Sequence, residues 1–597
     1  MKYREFWKIV EKIVKSRNPE REVVKYSYVE KLWKAICDNS IKVIFLRAPT
    51  GIGKTEAVLA PYLHQYLSGE YSFWSLVYVL PTRSLVTTMY TRFCKTISSV
   101  LTDLSRGPML TLDYGSPFII KPYLEGDIVV TTYDTLIYTI YGLRSWGRHY
   151  RLPLAKITGS LIVLDEVQLM QDIYWYTPDI LPKHLRFLIS YASKVIVMSA
   201  TLPSKLVNDI KREIIREIKD DEIIEVNCLE EAERGNISIE LRFEEIDEIL
   251  SDLLRADTLH DKLPLLIVCN TVEKAANMYN KIVDQMKGSS YEIILLHSRL
   301  RFSTRKEREK IFERKKKREL ILIATQVVEA GIDYNFRAII TECCPIDSLI
   351  QRIGRIARKP GDEGYAYISL HPQTIKRATY VYSEEIISRA KEVITNYQDK
   401  INIATKSSHI ATSLVDEQYT DELVEKLSRK FKVLASYKRL VSAFICRLLD
   451  SGGLFLGQDV LRNGYNKILS HLIRLGIEIN TVFLPTLNKL INTVISEGKK
   501  KLLIKRNIID NNIVKLSLKV LPQKGITLPK SVLHHFNDKD YIIFLDISKN
   551  SEITIEAFKV NDKRVRDLYN ILSSKILVLN SKFYKFKDNY DLGVVKI

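Results

Sequence analysis

The sequence predicts an α/β fold with two tandem, doubly wound parallel-sheet domains and a C-terminal mixed α/β accessory region. Three observations predict it. Between residues 40 and 370, short uncharged runs rich in β-branched residues alternate with stretches long enough for crossover helices, a pattern typical of parallel strands buried on both faces. The charged segment from Glu225 to Arg255 interrupts this alternation once. Beyond about residue 372, helical periodicity takes over, and strand-like runs return near the end.

Nine apolar runs predict the strands of the two domains. The first domain takes Val43–Leu46, Leu76–Leu80, Ile128–Val130, Leu161–Leu164 and Val195–Met198, and the second takes Leu265–Val268, Ile293–Leu296, Leu320–Ile323 and Ala338–Ile340. The accessory region has helical periodicity around 383–387 and 423–427 and strand-like runs at 541–545 and 575–579. The predicted boundaries are 1–225 for an N-terminal extension and the first domain, 226–375 for the second domain and 376–597 for the accessory region.

The charge balance favours a polyanionic partner. Basic residues outnumber acidic ones by 90 to 71, which gives a net charge of +19, and phosphate neutralisation with counterion release would use that excess. Charge that serves only solubility is the alternative. No uncharged apolar run approaches the ~20 residues of a membrane span, no secretory apolar core follows Met1, and the cysteines form no C-x-x-C pair. We therefore expect no membrane partner and a cytoplasmic location.

A glycine-rich loop follows the first predicted strand. The run Thr50-Gly51-Ile52-Gly53-Lys54-Thr55 stands between that strand and a predicted helix, which is the context that a phosphate-binding loop requires. Glycines let main-chain N–H groups curl around phosphate oxygens. Lys54 would reach the β- and γ-phosphates, and the Thr55 hydroxyl would ligate Mg²⁺. These six residues are the predicted binding loop for ATP.

Two neighbouring carboxylates follow the uncharged run Leu161–Leu164. Asp165 and Glu166 stand at the predicted carboxyl end of that strand, where α/β sheets bind ligands. Asp165 would hold Mg²⁺, and Glu166 would orient or deprotonate an attacking water. A solvated loop is the alternative, but the buried strand before the pair favours the catalytic interpretation.

A pair of arginines in the second domain is predicted to complete the catalytic set. Arg355 and Arg358 are three residues apart on a helical pattern, so we expect them to share one face of a helix, with Gln351 one turn earlier. Two guanidinium groups on one face can stabilise charge that develops on a γ-phosphate. A basic surface helix is the alternative.

Together these motifs resemble superfamily 2 helicases over residues ~25–375. The resemblance implies RecA-like domains and adds three groups of residues. It implies nucleic-acid contacts by Pro81, Thr82, Arg83, Thr131, Thr132, Thr271, Arg299 and Thr325. It implies coupling of ATP state to strand contact by Gln168, Ser199, Ala200 and Thr201, and further nucleotide contacts by Gly331 and Asp333.

Within that superfamily the chain resembles the CRISPR-associated type I effector helicases. The resemblance lies in the amino-acid sequences of the segments 47–57, 198–203, 297–299 and 325–329. The resemblance implies a motor on single-stranded DNA that acts with a guide-RNA effector complex. The family's HD nuclease normally precedes the motor, whereas the first histidine here is His64, inside the motor. We therefore expect a helicase half without nuclease activity that works with a separate HD-type nuclease subunit, and residues 376–597 that close over the nucleic-acid channel.

The residues leave two other functions open. The same motor could serve as a general DNA or RNA helicase in repair or RNA metabolism, because nothing in the motifs separates DNA from RNA. An ATP-gated clamp that binds a strand without unwinding it is the alternative of another class. Two departures bear on coupling and nucleotide choice: Gln168 stands where a histidine or aspartate is common, and Tyr28-Val29-Glu30 stands where an adenine-reading glutamine is expected.

Overall fold

A computed structural model gives the architecture of the chain. It describes residues 3–17, 23–101, 107–114, 123–141, 152–169, 177–256, 258–288, 290–312, 319–329, 332, 334–430, 477–483, 499–502, 511–518, 537–538, 541–547, 553–559, 575–578, 584–587 and 590–594. These residues form two compact units: Met1–Ile239, Cys344–Glu363 and Glu384–Arg474 make the first, and Glu240–Cys343, Gly364–Ser383 and Leu475–Ile597 make the second. In the described part of the chain, no helix is both long and apolar enough to cross a membrane.

The first sheet has seven parallel strands in the order β3-β4-β2-β5-β6-β1-β7. The strands are β1 Val43–Arg47, β2 Leu76–Leu80, β3 Leu110–Asp113, β4 Ile128–Thr132, β5 Leu161–Asp165, β6 Lys194–Ser199 and β7 Ile223–Asn227. The helices around it are α1 Tyr3–Arg17, α2 Ser27–Cys37, α3 Lys54–Ser68, α4 Arg83–Val100, α5 Tyr133–Ile140, α6 Leu152–Ile157, α7 Thr177–Ile189 and α8 Ser204–Ile214.

Both faces of this sheet are covered. Ile44 and Leu46 belong to an apolar core shared with α1 to α4. The alternate residues Val43 and Phe45 point to the other face and are also fully buried. Because successive residues of β1 face opposite sides and all five are buried, both sides of the sheet are covered there, as expected for a doubly wound parallel sheet.

The second sheet has six strands in the order β10-β11-β9-β12-β13-β8. They are β8 Asn236–Arg242, β9 Leu265–Val268, β10 Glu292–Leu296, β11 Leu320–Ala324, β12 Ala338–Glu342 and β13 Glu363–Ser369. The helices that follow these strands along the chain are α9 Ile246–Arg255, α10 Val272–Gln285, α11 Phe302–Ile311, α12 Ile346–Ile353 and α13 Pro372–Ala378. The neighbouring strands β10, β11, β9, β12 and β13 pair in parallel.

The described accessory region begins with helices and ends with strands. The helices are α14 Glu384–Asn396, α15 Gln398–Ala404, α16 Ser408–Gln418 and α17 Asp421–Lys430, all within the first compact unit. The strands are β14 Ile477–Val482, β15 Lys499–Leu502, β16 Ile513–Leu518, β17 Asn537–Asp538, β18 Tyr541–Ile547, β19 Ile553–Lys559, β20 Lys575–Val578, β21 Tyr584–Lys587 and β22 Tyr590–Val594. Strands β14 to β20 form a third, largely antiparallel sheet, and β21 pairs with β22.

The predicted fold class is confirmed, and each of the nine predicted motor strands is present. Four strands at or near sheet edges were missed, namely β3, β7, β8 and β13. Strand β8 lies in the charged segment that was interpreted as a break between domains, and its exposed and half-buried residues explain why it gives no apolar run. Polar residues on an edge strand can face water, which removes the signal that identifies a central strand.

An ion-pair network in the second unit makes its stability depend on pH. Glu245 accepts hydrogen bonds from Arg377 at 2.8 and 2.9 Å and from Lys274 at 3.0 Å. Burial opposes the charge, but these cations outweigh it and lower the pKa of Glu245 to about 2. The carboxylate is thus ionised more readily when folded, so its stabilisation is present above the unfolded pKa of 4.5 and is lost as pH falls through 2.

We expect Glu245→Gln to lower the free energy of unfolding at pH 7 by about 2 kcal/mol. The variant should also lose less stability than the wild type between pH 5 and pH 2. Denaturant unfolding at a series of pH values measures both effects, with the exposed Glu307→Gln as control. Parallel stability curves for the wild type and Glu245→Gln over that window would contradict the assignment.

Candidate active site

The loop between β1 and α3 has the backbone of a phosphate-binding loop. Gly51 and Gly53 adopt φ angles of 87° and 93°, a region that side chains with a Cβ rarely enter. The Lys54 Nζ donates to the carbonyl oxygens of Ala48 at 2.8 Å and Pro49 at 3.0 Å. The loop therefore curls around its own lysine, and helix α3 begins at that lysine, so the main-chain N–H groups of its first turn could bind an anion.

The two predicted catalytic carboxylates lie at the carboxyl end of β5. Asp165 is the last residue of the strand and is buried. Burial and the neighbouring Glu166 raise the pKa of Asp165 to about 7. Glu166 has a φ angle of 55°, a left-handed conformation that costs a non-glycine residue about 1–3 kcal/mol and is typical of functional sites. Gln168 donates from Nε2 to the Glu166 carboxylate at 2.5 Å, so the predicted coupling residue contacts the predicted water-orienting residue.

A tyrosine that the sequence did not single out joins the two predicted metal ligands. The Tyr78 hydroxyl donates to the Asp165 carboxylate at 2.6 Å and lies 3.4 Å from the Thr55 hydroxyl. Tyr78 is fully buried in the middle of β2. Within an apolar run, a tyrosine has the pattern of a core residue, and only the pairing of β2 with β5 reveals its contact.

We expect Tyr78→Phe to raise the Mg²⁺ concentration needed for half-maximal ATP hydrolysis by ~10-fold, because Asp165 loses a charge-assisted hydrogen bond that orients it, worth ~1.5–3 kcal/mol. A magnesium titration of hydrolysis measures the effect, and the exposed Tyr71→Phe serves as control. An unchanged magnesium requirement would show that Tyr78 is only a packing residue.

Four of the predicted site residues carry a buried oxygen that makes no hydrogen bond within the described part of the chain. Among the described residues, Asp165 Oδ1, Gln168 Oε1, Thr201 Oγ1 and Gln351 Oε1 are fully buried and make no hydrogen bond. Each such atom costs free energy, and an ion or ligand bound at the atom is one explanation for it. Mg²⁺ prefers oxygen ligands and often takes one carboxylate together with phosphate oxygens. The Asp165 carboxylate and the Thr55 hydroxyl therefore fit a magnesium ion.

The predicted coupling segment is connected to the phosphate loop through the backbone. Ser199 lies beside Arg47 in the register of β6 and β1, and its carbonyl oxygen accepts from the Ala48 N–H at 3.4 Å. The Ser199 hydroxyl accepts from the Thr201 N–H at 2.9 Å. The Arg47 Nε donates to the Leu202 carbonyl oxygen at 3.0 Å. Two of these contacts, from Ala48 to Ser199 and from Arg47 to Leu202, join the start of the phosphate loop to residues 199–202.

The predicted helix carrying Arg355 and Arg358 is wrong. Helix α12 ends at Ile353, so Gln351 is helical and buried, whereas both arginines lie in the loop beyond it. Ala357, between them, has a φ angle of 45°, a left-handed conformation that turns the chain. The arginines therefore do not share a helix face. The loop belongs to the first compact unit, which also holds the phosphate loop.

The predicted nucleic-acid contacts in the first unit lie at the ends of two adjacent β-strands, β2 and β4. Thr82 is exposed and caps α4, with Pro81 before it and Arg83 after it. Thr131 and Thr132 end β4, the neighbour of β2, and their side chains are buried. The hydroxyl of Thr132 caps α5. Unless this turn moves, Thr131 and Thr132 can therefore contact nucleic acid only through their main-chain atoms. The predicted nucleotide motifs follow β1 and end β5, and the predicted coupling segment ends β6; these are the next strands of the same sheet.

In the second unit, the predicted contacts follow three adjacent strands. Thr271 follows β9 and caps α10, Thr325 follows β11, and Arg299 follows β10. Because β10, β11 and β9 are neighbours in the sheet, these residues line one carboxyl edge at strand spacings of ~4.8 Å. Arg299 is half-buried, and burial lowers the pKa of its guanidinium. The predicted nucleotide contacts Gly331 and Asp333 lie outside the described residues.

The β21–β22 hairpin fixes the segment around Arg299. The His297 ring contacts the Leu592 carbonyl oxygen at 2.9 Å, and the Val594 N–H donates to the Arg299 carbonyl oxygen at 3.1 Å. Asp591 accepts from the Arg301 Nε at 2.9 Å. The end of the accessory region therefore supports a predicted nucleic-acid loop, a contact that links residues ~290 positions apart and has no local sequence signal.

Comparisons with known proteins agree with these motifs. The family model described as "DEAD/DEAH box helicase" matches residues 27–210. The model described as "CRISPR-associated nuclease/helicase Cas3, C-terminal" matches residues 261–361. The CRISPR-associated helicase Cas3 of Thermoproteus tenax is 30% identical over 423 residues, which cover 66% of this chain and 66% of that protein. The CRISPR-associated nuclease/helicase Cas3 of Methanothermobacter thermautotrophicus is 25% identical over 421 residues, which cover 64% of this chain and 46% of that protein.

A solved structure shares the fold. The crystal structure of T. fusca Cas3 superposes with a TM-score of 0.60 at 15% identity, covering 95% of this chain and 68% of that chain. At this identity the likeness concerns the fold alone. The match spans slightly under two thirds of the Thermoproteus protein and under half of the Methanothermobacter protein.

Proposed function

We propose that this chain, which belongs to the superfamily 2 helicases and is similar to their CRISPR-associated Cas3 members, is an ATP-driven translocase on single-stranded DNA. In this proposal it unwinds target DNA in type I CRISPR interference. The observation that carries the motor function is the arrangement of the first sheet's carboxyl edge, where the nucleotide motifs on β5, β6 and β1 adjoin the predicted strand-contacting ends of β2 and β4.

The residues of the site can perform ATP hydrolysis. Lys54 and the main-chain N–H groups of its loop would hold the β- and γ-phosphates. Glu166 would orient the attacking water, and Arg355 with Arg358 would stabilise charge that develops on the γ-phosphate. Thr55 and Asp165 would hold Mg²⁺, which when bound neutralises phosphate charge.

The coupling residues give hydrolysis a route to the strand. Gln168 contacts Glu166, and the segment 199–201 contacts the start of the phosphate loop. Threonine hydroxyls and main-chain amides at strand ends grip phosphates without reading bases. A motor that walks on any sequence requires contacts of that kind.

The proposed partners are a guide-RNA effector complex and a separate HD-type nuclease subunit. In the described ranges, no group of three or more His, Cys, Asp or Glu side chains is arranged to hold a metal ion. The proposal assigns strand separation to this chain and cutting to its partner.

Steady-state ATP hydrolysis tests the proposal. The purified chain is measured alone, with single-stranded DNA and with single-stranded RNA, beside Lys54→Ala to exclude a contaminating ATPase. We expect stimulation by DNA over RNA and its loss in Lys54→Ala. Equal or greater stimulation by RNA would favour an RNA helicase. Tight strand binding without turnover would favour an ATP-gated clamp.

Addition of the partners tests the CRISPR assignment. With a guide-loaded effector complex on target DNA, we expect ATP-dependent strand separation. We also expect cleavage only after addition of an HD-type nuclease subunit. Unwinding that is indifferent to the effector complex would favour a general DNA helicase.

A further inference from the structure

Arg234 holds the loop that follows α12 and carries Arg355 and Arg358. Arg234 lies in the segment that joins β7 to β8. Its Nη2 donates to the carbonyl oxygens of Gly354 at 2.7 Å and Ile356 at 3.0 Å, and its Nη1 donates to the Thr405 carbonyl oxygen at 3.2 Å. One guanidinium therefore ties the loop carrying Arg355 to the end of α15.

The residues after Arg234 bind the same loop through their backbone. The Gly235 N–H donates to the Ala357 carbonyl oxygen at 3.0 Å, and the Asn236 N–H donates to the Asp362 carbonyl oxygen at 2.9 Å. A Cβ on Gly235 would lie 2.0 Å from that Asp362 oxygen, so only glycine permits this approach. The joining segment and the arginine loop are thus built as one unit.

Arg234 is a largely buried cation that binds main-chain oxygens of the described residues. Arg234 makes its hydrogen bonds to main-chain carbonyl oxygens, and its fully buried Nε has no hydrogen-bond partner among the described residues. Burial, and then the nearby Arg358 and Arg355, lower the pKa of Arg234 to about 9. Like charges at Arg358 and Arg355 thus oppose the charge on Arg234, which the main-chain carbonyl oxygens accept.

The two predicted catalytic arginines depend on the positions of these carbonyls. Ala357 is held at a φ angle of 45° between Arg355 and Arg358. Arg234 binds the carbonyl oxygens of Gly354 and Ile356, which fixes the Gly354–Arg355 and Ile356–Ala357 peptide planes on either side of the Arg355 carbonyl. A misplacement of about 1 Å at a reacting group lowers turnover by ~100-fold.

We propose that Arg234 is a positioning residue for ATP hydrolysis, which sets Arg355 and Arg358 toward the γ-phosphate through the loop backbone. This inference rests on the proposed function. Arg234 need not touch ATP itself.

Variants of Arg234 test the inference with two independent readouts. Arg234→Gln and Arg234→Lys are compared with the wild type and with Arg216→Gln, whose side chain is 59% exposed. Hydrogen exchange of the amides in 354–362 reports the order of the loop without requiring turnover. Strand-stimulated hydrolysis per active site, titrated with a tight-binding nucleotide analogue, reports catalysis corrected for misfolded protein.

We expect faster exchange at 354–362 in Arg234→Gln, with exchange in α10 unchanged. We also expect kcat to fall ~10–100-fold while KM for ATP stays near that of the wild type. For Arg234→Lys we expect an exchange rate and a kcat between those of the wild type and Arg234→Gln, because an ammonium group cannot bridge two carbonyl oxygens as the planar guanidinium does. Arg216→Gln should match the wild type.

Each contrary outcome identifies what fails. Unchanged exchange at 354–362 overturns the inference whether or not the chain hydrolyses ATP. Faster exchange with a normal kcat per active site overturns the catalytic role and leaves a structural contact. A wild-type chain without strand-stimulated turnover overturns the proposed motor and with it the link to catalysis.

Discussion

Replacement of Glu166 by glutamine is expected to lower the strand-stimulated kcat by ~10²–10⁴-fold, the usual contribution of a positioned acid or base. Glutamine has the size of glutamate but carries no charge and accepts a proton poorly. Residue 166 sits in a left-handed conformation directly after the buried Asp165, so its side chain is directed by the backbone as well as by Gln168. Single-turnover hydrolysis and equilibrium binding of ATP and single-stranded DNA separate chemistry from affinity.

The affinities should be unchanged in Glu166→Gln, because the phosphate loop and strand ends remain intact. The exposed Glu70→Gln is a matched control and should retain wild-type turnover. A twofold change in turnover is too small for the loss of a catalytic group. If Glu166→Gln turns over within twofold of the wild type, another residue orients the water. A variant that neither turns over nor binds would instead indicate a folding defect.

The predictable part of the fold is the part whose residues carry local signals. Central strands such as β5 are buried on both faces and therefore give continuous apolar runs. Strand β3 has alternating burial, and β8 is mostly exposed or half-buried, so neither gives such a run. Helices α14 to α16 show helical periodicity, but nothing local indicates that they belong with the first sheet's unit.

The candidate site divides in the same way. The phosphate loop and the acidic pair depend on short consecutive motifs. Gly51 and Gly53 have positive φ angles, and Asp165 ends β5. Tyr78 and Arg234 act through contacts that only the folded chain creates. The failure to predict the arginine loop has one cause: a spacing of three suggests a helix, but tertiary contacts from Arg234 and Gly235 hold the chain in a turn.

Removal of either loop arginine should produce the second large effect. We expect Arg355→Ala or Arg358→Ala to lower kcat by ~10³–10⁵-fold if each stabilises charge on the γ-phosphate, since arginines in that role contribute this much. The KM for ATP should change far less, because the lysine of the phosphate loop and the helix N-terminus supply most ground-state phosphate binding.

The matched control is Arg212→Ala, which removes an arginine whose side chain is 75% exposed in the same compact unit. It should hydrolyse ATP as the wild type does. The loss of one hydrogen bond explains a decrease in kcat of up to about tenfold. If both loop variants keep at least a tenth of wild-type kcat, the loop is therefore a basic surface feature. In that case the charge on the γ-phosphate must be stabilised elsewhere.

The double variant distinguishes two arginines that act together from two that act separately. If Arg355 and Arg358 hold one phosphate jointly, removing the second should add little to the loss caused by the first, as for catalytic groups that work as a unit. Independent roles would make the losses multiply. Because Arg234 binds the carbonyls on both sides of Arg355, we expect joint action, with Arg234→Gln and Arg355→Ala also less than multiplicative. A fully multiplicative result would mean that Arg234 supports stability through a path separate from the arginine pair.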